Sequence, residues 1–463
     1  MIVSAPPCTN ESSFPRSIPV IRVSQVLAAL SFALDLTEGQ PMGHSVRTCV
    51  IGMRIAEQLD LPLDMQTDLY YALLMKDAGC SSNASRMFAL LGTDEIKAKR
   101  DVRVTDWTRR GWDSLKYAIS HVRTDAPFLV RVRALIDVAE HQQRNAKQLV
   151  QIRCERGAGI ARGIGLSEST ADAIYSLDEL WNGEGQPQGL REREIPLLSR
   201  IMNLAQTAEV FFTAHGANAA IEVARQRKGR WFDPEIVRVF QSIARKNELW
   251  LELANGPERV LTLEPQQMRF AADDSTIDQI CMAFADVIDA KSPFTYQHST
   301  GVAGAAVSIA RTLALGEPEV KLIRRAALLH DLGKLGIPNS ILEKPDALTG
   351  EEWKVVHQHP YLSSKILNRV PGFEQLSEIV SCHHEKLDGS GYFRGLSGEA
   401  LPILARILAV SEIFGTLVTS RPYREALPLD KVFSLLEADA PRKLDADCVQ
   451  ALKQHHIAAS QIP

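Results

Sequence analysis

Apolar residues recur at every third or fourth position through much of this chain, and this spacing constrains its fold more than any other feature. The pattern is typical of helices that bury one face. Glycines and prolines such as Gly316, Pro345 and Pro402 interrupt it, which predicts turns between helices. No stretch alternates apolar and polar residues for long enough to predict a strand, so the expected fold class is all-α. The clearest helical stretches are residues 280–288, 303–315, 320–329, 351–357, 376–382 and 403–417.

Two blocks of sequence recur in the same order, which indicates an internal duplication. Residues 72–79 (ALLMKDAG) parallel residues 326–333 (AALLHDLG), and residues 179–213 parallel residues 385–419. The spacing between the two blocks is 48 residues longer in the first copy. We therefore predict an insertion there, somewhere between about residues 85 and 175.

The chain length agrees with such a duplication. The 463 residues are enough for two to four domains of roughly 100–200 residues each. The repeat narrows this to two tandem helical domains. We predict a flexible tail at residues 1–20, a first copy at 21–255, a linker at 256–274 and a second copy at 275–463.

Composition excludes several classes of function. The net charge is −4, from 52 Lys and Arg against 56 Asp and Glu, so no strong positive field predicts binding to a nucleic-acid polymer. No apolar stretch approaches the roughly 20 residues needed to cross a membrane. The first 20 residues lack the basic start of a signal peptide. Seven cysteines without a CxxC pair predict reduced thiols, and we expect a cytoplasmic protein.

Six of the 12 histidines fall between residues 298 and 384, together with Asp331 and ahead of Glu412. Imidazoles and carboxylates together suit iron, manganese, zinc or nickel. The adjacent pair His330-Asp331 can direct both groups into one cavity and leave the carboxylate free to bridge two ions. Two ions about 3.5–4 Å apart can hold a phosphate group. Each histidine taken alone is more simply explained as a surface residue, but the whole set is not. The six histidines are His298, His330, His357, His359, His383 and His384.

Three basic residues near this set suit phosphate binding. Lys334 lies one turn beyond Asp331 and can serve as a point charge. Arg421 and Arg424 follow the Glu412 helix and can form paired hydrogen bonds with phosphate oxygens.

Three motifs in the second copy resemble those of the HD-GYP family. They are HDLGK at residues 330–334, HHEKLDGSGY at 383–392 and RGL at 394–396. The family comprises metal-dependent phosphohydrolases that degrade bacterial cyclic dinucleotides, chiefly cyclic di-GMP. The resemblance covers roughly residues 275–430, and so many ordered motifs are highly specific.

The resemblance implies two tandem HD-type domains, the second of them an HD-GYP domain, and an enzyme with two divalent ions, iron or manganese. Cyclic di-GMP would be hydrolysed to linear pGpG, to GMP or to both. Asp331 and Lys334 would be catalytic, and Lys334, Tyr392, Arg421 and Arg424 would contact substrate. The loop around Tyr392 would be a docking place for GGDEF partner proteins, and a homodimer is possible. The implied metal ligands are His298, His330, Asp331, His359, His383, His384 and Glu412.

Three positions depart from the family pattern. Glu412 stands where the family has aspartate, so its carboxylate reaches one methylene further. Phe393 replaces the proline of the GYP signature. Phe294 occupies the position at which some members have a glutamate for a third ion, so we expect two ions rather than three.

The first copy keeps few of these residues. His44 and Asp77 remain, but Lys76 replaces the histidine of the HD pair. We expect this copy to be a degenerate HD-like domain without catalysis, with a regulatory or packing role. The other replacements are Cys80 for Lys334, Leu177 and Asp178 for His383 and His384, and Gln206 for Glu412.

Two alternatives to a cyclic di-GMP phosphodiesterase follow from the same residues. The first is an enzyme for a mixed cyclic dinucleotide such as 3'3'-cGAMP or for another nucleotide phosphate, because the motifs address metal and phosphate rather than the bases. The second is a non-catalytic signalling protein that engages GGDEF partners. The intact His-Asp and His-His pairs argue against the second alternative, whereas Glu412 and Phe393 are compatible with it.

Overall fold

The structure is a computed structural model that describes residues 21–106, 112–124, 126–254, 257–266, 270–422 and 424–460. Within these ranges helices and turns make up the fold, and β-type pairing is limited to isolated bridges. The predicted all-α class is confirmed. No helix in the described ranges combines the length and the apolar character that a membrane crossing requires. The predicted tail at residues 1–20 lies outside the described residues.

The first half of the chain builds the helices α1 to α12. Helices α4, α5, α6 and the first part of the 36-residue helix α7 lie where the insertion is expected, between about residues 85 and 175. The bounds are α1 Val23–Thr37, α2 His44–Gln58, α3 Leu63–Met75, α4 Ala84–Leu91, α5 Glu95–Val104, α6 Trp112–His121, α7 Phe128–Gly163, α8 Glu168–Tyr175, α9 Leu197–His215, α10 Ala217–Arg227, α11 Pro234–Ala244 and α12 Asn247–Ala254.

The second half builds α13 to α22. Short 3₁₀ turns join several helices in both halves, including Cys80–Asn83 after α3 and Leu332–Gly336 after α15. The bounds are α13 Asp274–Asp289, α14 His298–Thr312, α15 Glu317–Leu329, α16 Asn339–Leu342, α17 Gly350–Val356, α18 His359–Leu367, α19 Glu374–Ser381, α20 Ile403–Leu417, α21 Leu429–Asp439 and α22 Ala446–Ser460.

Side-chain caps explain where several of these helices begin. The Asp94 carboxylate accepts hydrogen bonds from the backbone N–H groups of the first turn of α5, and Asp273 does the same for α13. Thr349 and Glu352 form a reciprocal capping box at the start of α17. Such caps satisfy backbone donors that have no partner within the helix.

The two halves repeat one local arrangement around a buried aspartate. Asp35 near the end of α1 accepts hydrogen bonds from the backbone N–H and the hydroxyl of Ser45, at 2.9 and 2.7 Å. Asp289 at the end of α13 accepts the same two bonds from Ser299, at 3.1–3.2 and 2.6 Å. Residues 35 and 289 are related by the same offset as residues 72 and 326. Each aspartate thus fixes the start of the helix that follows it, α2 or α14.

The first helix of each half also packs against the other half. Helix α1 contacts α18 and the 332–336 turn, and α13 contacts α7 and the 80–83 turn. The buried apolar side chains of both halves form one continuous cluster. The predicted linker at residues 256–274 therefore does not separate two independent cores. Within that segment, Glu264 is buried and accepts hydrogen bonds from Arg22, Ser24 and Tyr71.

A buried ion pair joins the halves beside the second copy. The Lys291 ammonium lies 3.1 Å from a carboxylate oxygen of Glu95, and the two side chains are 2% and 0% exposed. Glu95 also accepts the backbone N–H of Asn339 at 3.0–3.1 Å. The Asn339 amide in turn donates to the Lys291 carbonyl at 2.8 Å. Helix α5 of the first half thus holds two loops of the second half.

Replacing Glu95 tests whether the halves depend on each other for stability. We expect Glu95→Ala to lower the free energy of unfolding by about 3–5 kcal/mol, because a buried ammonium would lose its counter-charge. Urea unfolding measures this change. The matched control is Glu351→Ala, which removes an exposed partner of Lys354 and should cost about 1 kcal/mol or less. Equal, small effects of both variants would contradict the prediction.

A candidate two-metal site

Helix ends bring the predicted ligands of the second half together. His298 is the first residue of α14, His359 is the first of α18, and His330-Asp331 directly follow α15. The pair His383-His384 follows α19, and Glu412 lies inside α20. His384 is partly buried, and the others are almost fully buried.

A close approach of backbones holds two of these helix ends together. A Cβ atom on Gly333 would lie 2.2 Å from the carbonyl oxygen of His359, so only glycine fits at this contact. The Gly333 N–H donates to the Ser363 hydroxyl, which donates to the carbonyl of His330, both at 2.8 Å. The turn after His330-Asp331 is thereby locked against α18.

The first ligand group consists of His298, His330, Asp331 and Glu412, whose donor atoms all lie within 4.8 Å of one another. One oxygen of Glu412, Oε2, lies 2.8 Å from Nε2 of His298 and 3.2 Å from Nε2 of His330. Asp331 Oδ2 lies 3.3 Å from the His330 nitrogen and 3.7 Å from the His298 nitrogen. Four donors therefore surround one point.

The second group consists of His359, His383 and His384, within the same limit of 4.8 Å. Asp331 serves this group with its other oxygen, because Oδ1 lies 3.3 Å from Nε2 of His359 and 3.8 Å from Nε2 of His383. Each oxygen of one buried carboxylate thus faces a different set of donors. This is the arrangement that a carboxylate bridging two ions requires.

Backbone carbonyls fix which nitrogen each imidazole offers. The Nδ1 atoms of His330, His359 and His383 lie 2.7, 2.6 and 2.6 Å from the carbonyl oxygens of the residues three positions earlier. In a neutral ring, donation of Nδ1–H to these carbonyls leaves Nε2 with a free lone pair that points into the cavity. Metal-binding histidines are oriented in the same way by a hydrogen bond from the other ring nitrogen.

The buried polar atoms of this cavity fit metal ions. The atoms without a hydrogen-bonding partner of suitable geometry include Nε2 of His298 and His330, Oδ1 of Asp331 and Oε2 of Glu412. Nε2 of His359 also faces Nε2 of His383 at 3.0 Å, which places two lone pairs against each other. Unpaired buried polar groups are costly, and a shared cation removes that cost. The donor set therefore fits the divalent ions of the expected site.

The protonation of the site is shaped by burial and by ion pairing. Burial raises the pKa of Asp331, but His330 and Lys334 outweigh this effect and hold it well below its usual range. Burial lowers the pKa of His383 to about 4 and that of His359 and His384 well below the usual value, so these rings are neutral. Burial lowers the pKa of His330, but the Asp331 and Glu412 carboxylates outweigh this effect and raise it to about 10. Neutral imidazoles and an ionised carboxylate are the forms that bind metal, so metal binding at His330 would release its proton.

The predicted substrate residues lie in different settings. The Lys334 ammonium donates to Asp331 Oδ2 at 2.5 Å and is partly accessible. Tyr392 stacks on the ring of His384, with centroids 4.4 Å apart. Arg421 contacts the Thr416 hydroxyl at 3.2 Å, and that hydroxyl donates to Glu412 at 3.2 Å. Arg424 donates to three backbone carbonyls at or just after the end of α20 and to that of Glu425, so its guanidinium holds the loop in shape.

The corresponding place in the first half is filled by cations. Lys76 is an ion-pair partner of Asp77 Oδ2 and lies 3.0 Å from Nε2 of His44. Arg103 binds the other oxygen of Asp77, Oδ1, at 3.1 Å. Each oxygen of Asp77 thus faces a tethered positive charge, whereas each oxygen of Asp331 faces a group of candidate metal ligands. Lys76 and Asp77 occupy the positions that the repeat predicts.

Three residues of the cluster around Asp77 were not predicted from the sequence. Arg103 comes from the insertion, and it also binds Glu38 and Gln206 at 2.5 and 2.7 Å. Glu209, one turn beyond Gln206, bonds to His44. Arg153 pairs with Asp178 and matches His359 at the offset of the second repeat block, a signal that the sequence does contain.

Two glycines support the match between Arg153 and His359. A Cβ on Gly79 would lie 1.9 Å from the carbonyl oxygen of Arg153, as one on Gly333 would approach that of His359. Helix α7 therefore takes the place of α18 in the first half. A further group of possible ligands, Glu38, Asp77 and Cys80, lies here. Because Arg103 lies within hydrogen-bonding distance of its two carboxylates and Lys99 lies 3.5 Å from Glu38, cations already balance its charge.

Comparison with known proteins agrees with this geometry. The HD domain family matches residues 135–236 and 282–448, one segment in each half. A 3'3'-cGAMP-specific phosphodiesterase of Vibrio cholerae is 39% identical over 434 residues, 93% of this chain and 94% of the relative. The chain belongs to the HD-GYP family.

A solved structure and a further relative of this HD-GYP protein differ in how much of the chain they match. The crystal structure of a cyclic GMP-AMP-specific phosphodiesterase of V. cholerae superposes with a TM-score of 0.66 at 34% identity, covering 96% of this chain and 99% of that one. A cyclic di-GMP phosphodiesterase response regulator of Xanthomonas campestris is 42% identical over 156 residues, 33% of this chain and 41% of the relative. The likeness to the two V. cholerae phosphodiesterases therefore includes the degenerate first half.

Two equivalent substitutions test the assignment of metal to one half of this HD-GYP protein. We expect Asp331→Ala to lose both ions, because one carboxylate serves both ligand groups. Asp77→Ala should keep the full metal content, because tethered cations surround that carboxylate. Metal analysis of the purified proteins by mass spectrometry measures both. Loss of one or two equivalents from Asp77→Ala would contradict the assignment.

Proposed function

We propose that this protein is a metal-dependent phosphodiesterase that hydrolyses a cyclic dinucleotide through its second half. The observation that carries the proposal is the Asp331 carboxylate, whose two oxygens face two separate groups of ligands. The proposed first substrate is 3'3'-cGAMP, and cyclic di-GMP is the second candidate. Water would add across one P–O3' bond and leave a 5'-phosphate and a free 3'-hydroxyl. The products from cyclic di-GMP are linear pGpG and, after a second cleavage, GMP.

The two groups of candidate ligands suit metal-assisted hydrolysis of a phosphodiester. Two divalent ions, when bound there, would polarise a phosphoryl oxygen and provide a water nucleophile near neutral pH. His298, His330 and Glu412 would hold one ion, His359, His383 and His384 the other, and Asp331 both. Iron or manganese is proposed because imidazoles and carboxylates suit these metals.

The protein's own residues would orient the substrate and balance its charge. Lys334 donates to Asp331 at 2.5 Å and is partly accessible, so it can keep Asp331 ionised and attract a phosphate oxygen. Arg421 is proposed to hold a second phosphate, and its contact through Thr416 ties it to Glu412. Arg424 would act by holding the loop that presents Arg421.

The choice of 3'3'-cGAMP rests on how much of the chain each relative covers. The relative named as specific for 3'3'-cGAMP matches 93% of the chain, including the degenerate half. Relatives named for cyclic di-GMP from X. campestris and Thermotoga maritima match 33% and 34%. A shared arrangement of both halves favours a shared substrate. The metal and phosphate residues alone are compatible with either dinucleotide.

Partners and location belong to the same proposal. The loop that carries Phe393 is the proposed docking place for a GGDEF protein, and the 46% exposure of Phe393 next to the 49% exposed Tyr361 supports it. A homodimer is proposed as the functional state. A cytoplasmic location is supported by the described cysteines, all of which are buried free thiols.

Turnover assays test the proposed activity. We expect manganese- or iron-loaded protein to cleave 3'3'-cGAMP with a higher kcat/KM than cyclic di-GMP. Chromatography of the products measures both rates. His330→Ala should abolish cleavage while circular dichroism stays unchanged.

The results distinguish an error in the proposed substrate from an error in the proposed enzyme class. Fully loaded protein that cleaves cyclic di-GMP faster would replace the first substrate by the second. Fully loaded protein that cleaves neither dinucleotide would contradict the proposed function. The second case would favour a protein that binds partners without catalysis.

A further inference from the structure

A continuous series of rings leads from the metal ligands to the surface. Tyr392 stacks on His384 with centroids 4.4 Å apart and an interplanar angle of 28°. His357 lies over Tyr392 at 4.0 Å and 31°. Trp353, one helical turn before His357 on α17, follows at 5.3 Å. The rings of Tyr392 and His359 are nearly perpendicular, with centroids 6.4 Å apart.

The inner ring of this series has no free face. Two imidazoles this close to one phenol centroid would overlap if they shared a face, so His384 and His357 cover opposite faces of Tyr392. A nucleobase therefore cannot stack on Tyr392. Only the edge and the hydroxyl of the phenol remain for substrate, and its face holds the ligand His384 in orientation.

The outer rings are accessible. Trp353 is 43% exposed, and His357 is exposed as well. Indole is the aromatic side chain with the largest stacking surface, and nucleobases stack on such rings independently of their hydrogen-bonding edges. The base of a nucleotide is separated from its phosphate by one ribose. A stacking surface for it must therefore lie beside the phosphate site but outside the ligand shell, where Trp353 and His357 lie.

We propose that Trp353 and His357 form the stacking surface for one nucleobase of the cyclic dinucleotide. This inference rests on the proposed function, because it assumes that the phosphate binds at the metal ligands. The occupant is a nucleobase of the substrate, because ring contacts connect this surface through Tyr392 to the proposed metal ligand His384, beside which a substrate phosphate would bind. A stacking surface selects for base area rather than for base identity. Trp353 would thus determine affinity and the preference for purines.

The test compares Trp353→Ala and Trp353→Phe with the wild type under full metal loading. Loss of one base–aromatic stack should raise KM for 3'3'-cGAMP by roughly fivefold to a hundredfold. We expect kcat to change less than twofold, because the ring contacts of Trp353 reach the proposed metal ligands only through His357 and Tyr392. Trp353→Phe keeps an aromatic ring and should restore most of the affinity. Phe128→Ala, which removes an exposed ring from α7 in the other half, is the control for surface truncation.

A second readout separates stacking from general support of the fold. Purines stack more strongly than pyrimidines, so wild type should show a lower KM for cyclic di-GMP than for cyclic di-UMP. Trp353→Ala should reduce this ratio of KM values. A purely structural tryptophan would affect both substrates equally.

Each outcome decides the proposal. A higher KM with unchanged kcat and metal content, restored by phenylalanine, supports it. An unchanged KM, or a loss of metal and kcat with the same KM ratio, overturns it while the proposed function stands. A metal-loaded wild type that cleaves no cyclic dinucleotide overturns the proposed function and the inference together.

Discussion

The carboxylate of Asp331 is the constraint on which the site depends. It is fully buried, and one of its oxygens faces each ligand group. An ionised carboxylate in such a place requires positive charge on both sides. The protein supplies the Lys334 ammonium and the His330 ring, whose pKa is raised to about 10, but the Glu412 carboxylate adds a second negative charge to the same cavity. Divalent ions held by the two ligand groups would balance the charge of both carboxylates, so the fold of the second half and its proposed chemistry have the same requirement.

The first half meets the same requirement differently. Asp77 is equally buried, but Lys76 and Arg103 provide the two positive charges from the chain itself. A tethered cation has no open coordination position for substrate, so this half can keep the architecture without the reaction. Its helices α1 and α5 then support the second half through the shared core and the Glu95–Lys291 pair.

Much of this could be predicted from the sequence. Helical periodicity predicted the all-α fold, and the repeat predicted where Lys76 and Asp77 would lie. The two motifs around His330 and His383 predicted the family. Arg103 could not be predicted, because it comes from an insertion that has no counterpart in the second half. Glu209 was missed because it reaches His44 from one turn beyond the aligned position. Pairing between distant segments depends on tertiary packing, which local patterns do not encode.

Anomalous X-ray diffraction from manganese-loaded crystals tests the central claim most directly, because it locates each ion. The account predicts two anomalous peaks, one on each side of the Asp331 carboxylate, and none beside Asp77, where Lys76 and Arg103 lie. A single peak at Asp331 would contradict the bridging role of its carboxylate. A peak at Asp77 would contradict the replacement of metal by tethered cations in the first half.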